Sequence, residues 1–539
     1  MNHAKLLDCT LRDGAYLVDK TFGDATISGI IAGLVDANID LIEIGFLQND
    51  GFGEGKTVFK NAAEAKKFIP DHKGKSEFTV LADYSRYDIS NLDQCDHTSF
   101  EAVRACFFKK ERFEVIDFCK EIKKKGYKLF VQPVDILGYS DAEIIEFINI
   151  INELEPYCVS IVDTFGSMYS DDLHRVFSLI DHNLTPVSKI GFHSHNNLQM
   201  SNALSQEFLK ITMGRRKVVV DTTVSGMGRG AGNTPTELVA QYMTDKLGYS
   251  YNIDAILDLI DVYMEHIRSI CSWGYSTSYF IAGSYSAHVN NISYLKEKNS
   301  IQSKDIRYIL NKIGSAKRKR YDYDLLEATY MDYLKSDIDD TEAMEKLYKQ
   351  LSGRNIVVLV PGQTIETKRK IIREAIEERN AVVISVNFIH KNIKTDYLYM
   401  SNMKRYAYWS KREEFNTIPK IFTSNIQSDG QNSITVSFNR LIKCGWENMD
   451  NSTILLLRLL DQLNVKSIGV AGFDGYYYKK ESMKNYFDND MEVSTVYEDP
   501  INLNKSIKLM LDDYFQTREN EIPIDFITPS RFDKENPIN

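Results

Sequence analysis

Eight short β-rich runs, each followed by a turn and an amphipathic stretch long enough to hold a helix, recur through residue 225 and constrain this chain more than any other feature. They are Lys5–Cys9, Asp40–Phe46, Phe78–Asp83, Ala102–Phe107, Lys128–Pro133, Cys158–Asp163, Ser188–His193 and Lys217–Thr222. Parallel strands need long crossovers, and eight such units predict an α/β fold of the (β/α)8 TIM-barrel type, with its chemistry at the C-terminal strand ends.

At 539 residues the chain exceeds what one hydrophobic core fills. Residues 1–250 are read as the barrel, 251–351 as a helical extension and linker, and 352–539 as a doubly wound, Rossmann-like α/β domain. Ile253–Cys271 and Ser303–Ile313 are the clearest helices of the extension. Its Lys317-Arg318-Lys319-Arg320 run reads as a solvated helix end or loop, because Asp322, Asp324 and Glu327 follow and no basic stripe develops.

The third segment opens on Ile356-Val357-Val358-Leu359-Val360, then Pro361-Gly362-Gln363-Thr364 and a charged helix, Glu366 to Arg379. Further strands are expected at Ala381–Val386, Asp396–Met400, Lys420–Ser424, Ser433–Phe438 and Ser467–Ala471. The Val360–Thr364 junction could set amides against a phosphate, though a single glycine suits an ordinary turn better.

A net charge of −10 and a pI near 5.6 argue against a nucleic-acid binder. No run approaches the ~18–20 apolar residues of a membrane span and no signal peptide is visible, so a cytoplasmic location is expected. Seven cysteines, Cys9, Cys95, Cys106, Cys119, Cys158, Cys271 and Cys444, form no CxxC pair and read as reduced thiols.

The chemistry-bearing residues fall where barrel strands end. His193 and His195 are two apart, so they project to one side of an extended strand and can reach one ion. Asp13, after the first strand, adds a carboxylate, and a divalent cation that polarises a carbonyl needs a few such ligands with positions left open. The stretch Gly226-Met227-Gly228-Arg229-Gly230-Ala231-Gly232-Asn233-Thr234-Pro235 reads as an active-site loop; it lacks the lysine of a phosphate-binding Walker motif.

Asp8-Cys9-Thr10-Leu11-Arg12-Asp13-Gly14, Glu43-Ile44-Gly45, Asp163-Thr164-Phe165-Gly166-Ser167-Met168, His193–Asn197 and Gly226–Asn233 together resemble the successive signatures of the DRE-TIM metallolyase superfamily. That HMG-CoA lyase-like group includes the 4-hydroxy-2-oxovalerate aldolases, and the Gly228–Pro235 loop is most similar to theirs. The resemblance covers roughly the first 335 residues. It implies a divalent metal, Mn2+ or Mg2+, on Asp13, His193 and His195, with Asn233 as a further ligand or, equally, an amide that stabilises its loop, and Arg12 stabilising an enolate oxygen. It places Glu43, Asp163, Ser167 and Gly228 in the substrate pocket, with Asp163 alternatively tying down the barrel top.

The implied activity is an aldolase or lyase that makes or breaks a C–C bond through a pyruvate-like enolate and an aldehyde, in a homo-oligomer. One departure stands out. The aldolases carry a histidine base two residues beyond the motif glycine, where this chain has Tyr16, a phenol and a poor base at neutral pH. Tyr16 is then a hydrogen-bond donor or a packing aromatic.

A Claisen-type acyl-CoA synthase or acyl-CoA lyase is the nearest alternative, disfavoured because such synthases carry Glu-Gln where this chain has Ala15-Tyr16. A non-catalytic metal-binding scaffold is the other, and Arg12 argues against it. No organic-cofactor residues stand out. Asp396–Asn402 and Gly469–Tyr476 resemble loops of Rossmann-like domains in bacterial surface-polysaccharide proteins, which implies a sugar or nucleotide-sugar ligand for the C-terminal domain.

Overall fold

Residues 3–298, 303–334, 338–426, 432–443, 446, 450–477, 485–487 and 499–533 are described by the computed structural model. Eight parallel strands close a barrel: β1 Ala4–Asp8, β2 Leu41–Leu47, β3 Glu77–Asp83, β4 Ala102–Phe107, β5 Lys128–Pro133, β6 Cys158–Asp163, β7 Lys189–Ser194 and β8 Val218–Thr222. Each pairs with its sequence neighbours, and β1 closes the ring by pairing with both β8 and β2. Every expected strand is present, with ends shifted by at most one residue.

Charge is distributed inside the barrel by the two-residue period of the strands. Leu7, Leu41, Ala102, Phe130, Cys158 and Val219 form an apolar cluster. Two residues further along the even-numbered strands stand Glu43, Arg104, Ser160 and Asp221, all buried. Four side chains from alternate strands make one layer of such a barrel, and here that layer is polar.

β2 carries an irregularity between Glu43 and Phe46. Gly45, at φ 150°, passes so close to the Thr57 carbonyl that a Cβ would lie 2.2 Å from its oxygen. The shift frees Phe46 N–H to donate to that carbonyl at 2.9 Å, and the short strand Val58–Phe59 pairs alongside.

Contacts divide the chain into two units, residues 1–293 with 314–321, and residues 294–313 with 322–539. The stretch 251–351, expected as an extension and linker, forms no body of its own. Its first helices bury Ile256, Leu259, Met264 and Ile267 in the barrel's core, so their apolar faces assign them to the first unit. The basic run forms a turn after the helix Ser303–Ile313, as expected, with Lys317 and Arg320 exposed, and it is also anchored. Lys319 pairs with Asp135 just beyond β5. Asn291 Nδ2 donates to the carbonyls of Arg318 and Arg320 at 2.8 and 2.9 Å.

The second unit holds a wholly parallel seven-stranded sheet: β9 Asn355–Leu359, β10 Val382–Val386, β11 Tyr397–Met400, β12 Lys420–Thr423, β13 Ser433–Val436, β14 Ser467–Ala471 and β15 Ile524–Phe526. Its order is β13-β12-β11-β10-β9-β14-β15, so the direction of winding reverses between β9 and β14. β15 has only three residues and no apolar alternation, and was not expected. The helix expected from Glu366 to Arg379 is interrupted at Lys368, between Thr364–Thr367 and Arg369–Arg379. Among the described residues no helix is long and apolar enough to cross a membrane. Six cysteines are free; Cys444 lies outside the described residues.

Candidate metal centre

Arg12 and Asp13 sit in the turn that follows β1, where Asp13 N–H donates to the Cys9 carbonyl at 2.7 Å. His193 is the penultimate residue of β7, and His195 follows just past the strand, its ring 5.2 Å from that of His193 and nearly perpendicular to it. His193 Nε2 lies 3.1 Å and His195 Nε2 3.8 Å from Asp13 Oδ2. His195 and Asn233 form an isolated backbone bridge. The Gly228–Asn233 loop is thereby tied to the end of β7.

Asn233 is buried; its amide nitrogen donates to the Met227 carbonyl at 3.1 Å, while Oδ1 has no hydrogen-bond partner among the described residues. A buried carbonyl oxygen left unpaired is costly. With the carboxylate and two imidazoles it makes up a candidate donor set for a divalent cation. Gly228 is needed because a Cβ there would come within 2.2 Å of Asn233 Nδ2.

On distance alone Cys9, Asp13 and His193 also form a cluster. Cys9 is the weaker candidate: its thiol donates to the Thr222 carbonyl at 3.3 Å, and burial pushes it well above its ordinary range. Without a cation it is held as the thiol, which is not a ligand until deprotonated. Burial pushes His195 down to about 4, with Asp13 opposing, so its imidazole is neutral and keeps a lone pair.

Asp13 and His193 are also links in a closed ring of polar and charged side chains. Arg12 donates from Nη1 to Asp13 Oδ2 at 2.9 Å and from Nε to Glu43 Oε2 at 2.7 Å. Arg104 Nη1 donates to that same Glu43 oxygen at 2.9 Å, and its Nη2 to Asp221 Oδ2. Asp221 Oδ2 lies 3.1 Å from His193 Nδ1, and His193 Nε2 returns to Asp13. A carboxylate on Nδ1 fixes the proton there and turns the Nε2 lone pair toward Asp13, where two acceptors at 3.1 Å require a proton or a cation between them.

Two guanidiniums stand against three carboxylates, so the ring carries a net charge of −1 when His193 is neutral, as a ligand must be; without a cation, Asp13 and Asp221 outweigh burial and raise the His193 imidazole above its ordinary value. A divalent cation and a monoanionic substrate would bring it to zero. The residues present therefore fit the metal.

Arg104 and Asp221 were not singled out as functional residues from sequence. Each is a lone charge in an otherwise apolar strand, Ala102-Val103-Arg104-Ala105 and Val218-Val219-Val220-Asp221, and that was the available signal. Glu43, placed in the pocket by resemblance, is fully buried behind Arg12 and positions it. Asp163 accepts Ser167 N–H at 2.9 Å and the Ser194 hydroxyl at 3.1 Å, which ties the loop after β6 to β7. Ser167 is half-buried beside it.

Tyr16 lies edge-on to Phe46, with ring centroids 5.3 Å apart. Burial raises its phenol above 10, and the opposing fields of Arg229 and Arg12 do not offset this. It cannot serve as a base at neutral pH, but it remains a donor.

In the second unit, the N–H of Thr364 at the Pro361-Gly362 junction donates to Asp474 Oδ2 at 2.8 Å, and its hydroxyl donates to Asp474 Oδ1. A Cβ on Gly362 would lie within 2.6 Å of that carboxylate. The chain's own aspartate stands where a phosphate would have to sit.

Residues 3–263 match the HMGL-like family. A 4-hydroxy-2-oxovalerate aldolase of Thermomicrobium roseum is 25% identical over 273 residues, covering 48% of this chain and 70% of its own length. Another, from Pseudoalteromonas translucida, is 24% identical over 357 residues, covering 61% and 96%. The HMG-CoA lyase structure from Brucella melitensis aligns with 50% of this chain and 100% of its own, at 15% identity and a TM-score of 0.41.

Proposed function

Residues 3–263 belong to the HMGL-like family of the DRE-TIM metallolyase superfamily, and from that premise we propose that this protein is a divalent-metal-dependent aldolase that joins a pyruvate-like 2-oxo acid to an aldehyde, or parts them. One observation carries this reading: a buried carboxylate, Asp13, meets two imidazoles, His193 and His195, and the loop tied to His195 carries Asn233, whose Oδ1 has no partner among the described residues.

Asp13, His193, His195 and Asn233 would hold the metal. When bound, the cation supplies Lewis-acid polarisation of the 2-oxo acid's carbonyl. Arg12 has Nε and Nη1 engaged by Glu43 and Asp13, and its Nη2 bonds no described residue. That N–H is left for the substrate oxygen on which enolate charge develops. Arg104 and Glu43 hold Arg12 in place and touch no substrate.

In the condensing direction C3 of the oxo acid loses a proton to water in the site. C3 then adds to the aldehyde carbon as the C=O π bond opens. The alkoxide takes a proton from the Tyr16 phenol, which suits a group too weakly acidic to act as a base yet acidic enough to quench an alkoxide. The reverse sequence cleaves the same bond, and no oxidant or reductant is needed.

The test is deuterium exchange into the pyruvate methyl group, followed by proton NMR with Mn2+ and with EDTA. Exchange should require Mn2+, and Arg12→Ala should slow it by about 100–1,000-fold, the effect of removing one oxyanion donor. No exchange in the Mn2+-loaded wild type would refute the proposal.

A further inference from the structure

Arg229 is unlike the other cations at the barrel mouth. Arg12 and Arg104 are held by buried carboxylates, Lys319 by Asp135 and Lys109 by Glu143. Arg229 has no ion-pair or hydrogen-bond partner for its guanidinium among the described residues. It lies over the Tyr16 ring, Cζ 3.4 Å from the centroid. The loop that carries it ends at Asn233, four residues on, which is bridged to His195. The guanidinium thus lies near the candidate metal donors, its field reaching His195, half-buried and with no ion-pair partner among the described residues.

A second cation adjoins it. Lys20 Nζ lies 4.8 Å from the Phe46 ring centroid, on the ring that Tyr16 meets edge-on, and donates to Gln48 Oε1 at 2.9 Å. Asp19 and Lys20 both adopt left-handed backbone, φ 47° and 59°, and two consecutive residues other than glycine in that region are strained. Burial lowers the Lys20 ammonium from its ordinary value, and the fields of Arg86, Arg229 and Lys56 add to this, against Asp19. Arg229 and Lys20 repel one another, with neither in an ion pair among the described residues and only the field of Asp19 opposing at Lys20, and an anion from outside the chain would relieve the repulsion.

We propose that Arg229, with Lys20 beside it, is a subsite for an anionic group, a carboxylate or a phosphate, on the acceptor aldehyde. The inference rests on the enolate-aldolase reading and extends it: the electrophile is a charged aldehyde, with its anionic end on Arg229 and its carbonyl oxygen toward the Tyr16 phenol. The arginine stacks on the aromatic and still offers its edge N–H groups to the anion.

The full-length Mn2+-loaded protein is assayed with pyruvate and two matched pairs, succinic semialdehyde against butanal and glyceraldehyde 3-phosphate against glyceraldehyde. One charged member should exceed its neutral partner in kcat/KM by about 10–100-fold, the range expected of charge-assisted hydrogen bonds. Which pair shows it separates carboxylate from phosphate. Arg229→Gln should collapse that ratio, chiefly through KM of the charged aldehyde, and Arg229→Lys should restore part of it. Equal turnover within both pairs, turnover of no aldehyde, or an Arg229→Gln effect equal on both members would overturn the subsite. Pyruvate deuterium exchange in the wild type without aldehyde separates the two levels: its presence leaves the aldolase reading standing when the subsite fails, and its absence removes both.

Discussion

Replacing Arg104 with Met should destabilise the barrel while leaving its affinity for a divalent cation intact or improved. Arg104 is fully buried and bonds Glu43 and Asp221 at once. Its removal takes the ring from two cations against three carboxylates to one against three, a change in net charge from −1 to −2. Breaking a buried pair by deleting one partner costs about 3–5 kcal/mol. Each carboxylate keeps one partner, Arg12 for Glu43 and His193 for Asp221, so a loss of about 3 kcal/mol is expected.

Urea unfolding at pH 7 in EDTA, followed by far-UV circular dichroism and fitted to separate transitions for the two units, measures this; the m-value should not change. Because Mn2+ neutralises the excess carboxylate, the deficit should shrink when metal is added, as linkage requires of a ligand that favours the folded state. The variant Arg104→Met with Asp221→Asn should regain at least about 1 kcal/mol through coupling of neighbouring charges. A loss below about 1 kcal/mol, or one that the second substitution deepens, would refute the account of the ring as a set of mutually dependent charges.

Asp221→Asn should weaken Mn2+ binding by about 10–100-fold in titration calorimetry, because the carboxylate on Nδ1 orients His193 and raises its basicity; unchanged affinity would count against that role. At the opposite end of the barrel, Glu77 pairs with both Lys5 and Lys128 at 2.7 Å. Burial raises its carboxyl, but bonds to the two lysines outweigh this and hold it below 4.5. Its stabilisation is therefore fully present above about pH 4.5 and lost as pH falls through the lower folded value. Glu77→Gln should cost about 1 kcal/mol at pH 7, since the partners are partly exposed, and the difference from wild type should vanish in acid; a constant difference from pH 7 to 3 would count against the pairing.

The barrel was legible because its strands are buried on both faces and so appear as apolar runs, while the turns between them are polar. β4, β5 and β6 were placed to the residue for that reason. β15 was missed because Ile-Asp-Phe is too short to show a period, and it forms only through pairing with β14. The helices after residue 250 were visible, but not which unit each would join, since an amphipathic pattern shows that a face is buried without showing against what.

The candidate metal donors were readable in the same way, as residues of suitable chemistry at strand ends. What sequence alone determined here is local: which segments are strands, which side chains alternate inward, and which donors end each strand. Only the closed barrel decided that Glu43, Arg104 and Asp221, from three different strands, share one layer, that Asn233 Oδ1 is left without a donor, and that Arg229 lies on Tyr16 without a carboxylate. Ion pairing depends on separation in space, and ring closure brings together residues far apart in the chain. Their charges acquire meaning from partners that no local pattern contains.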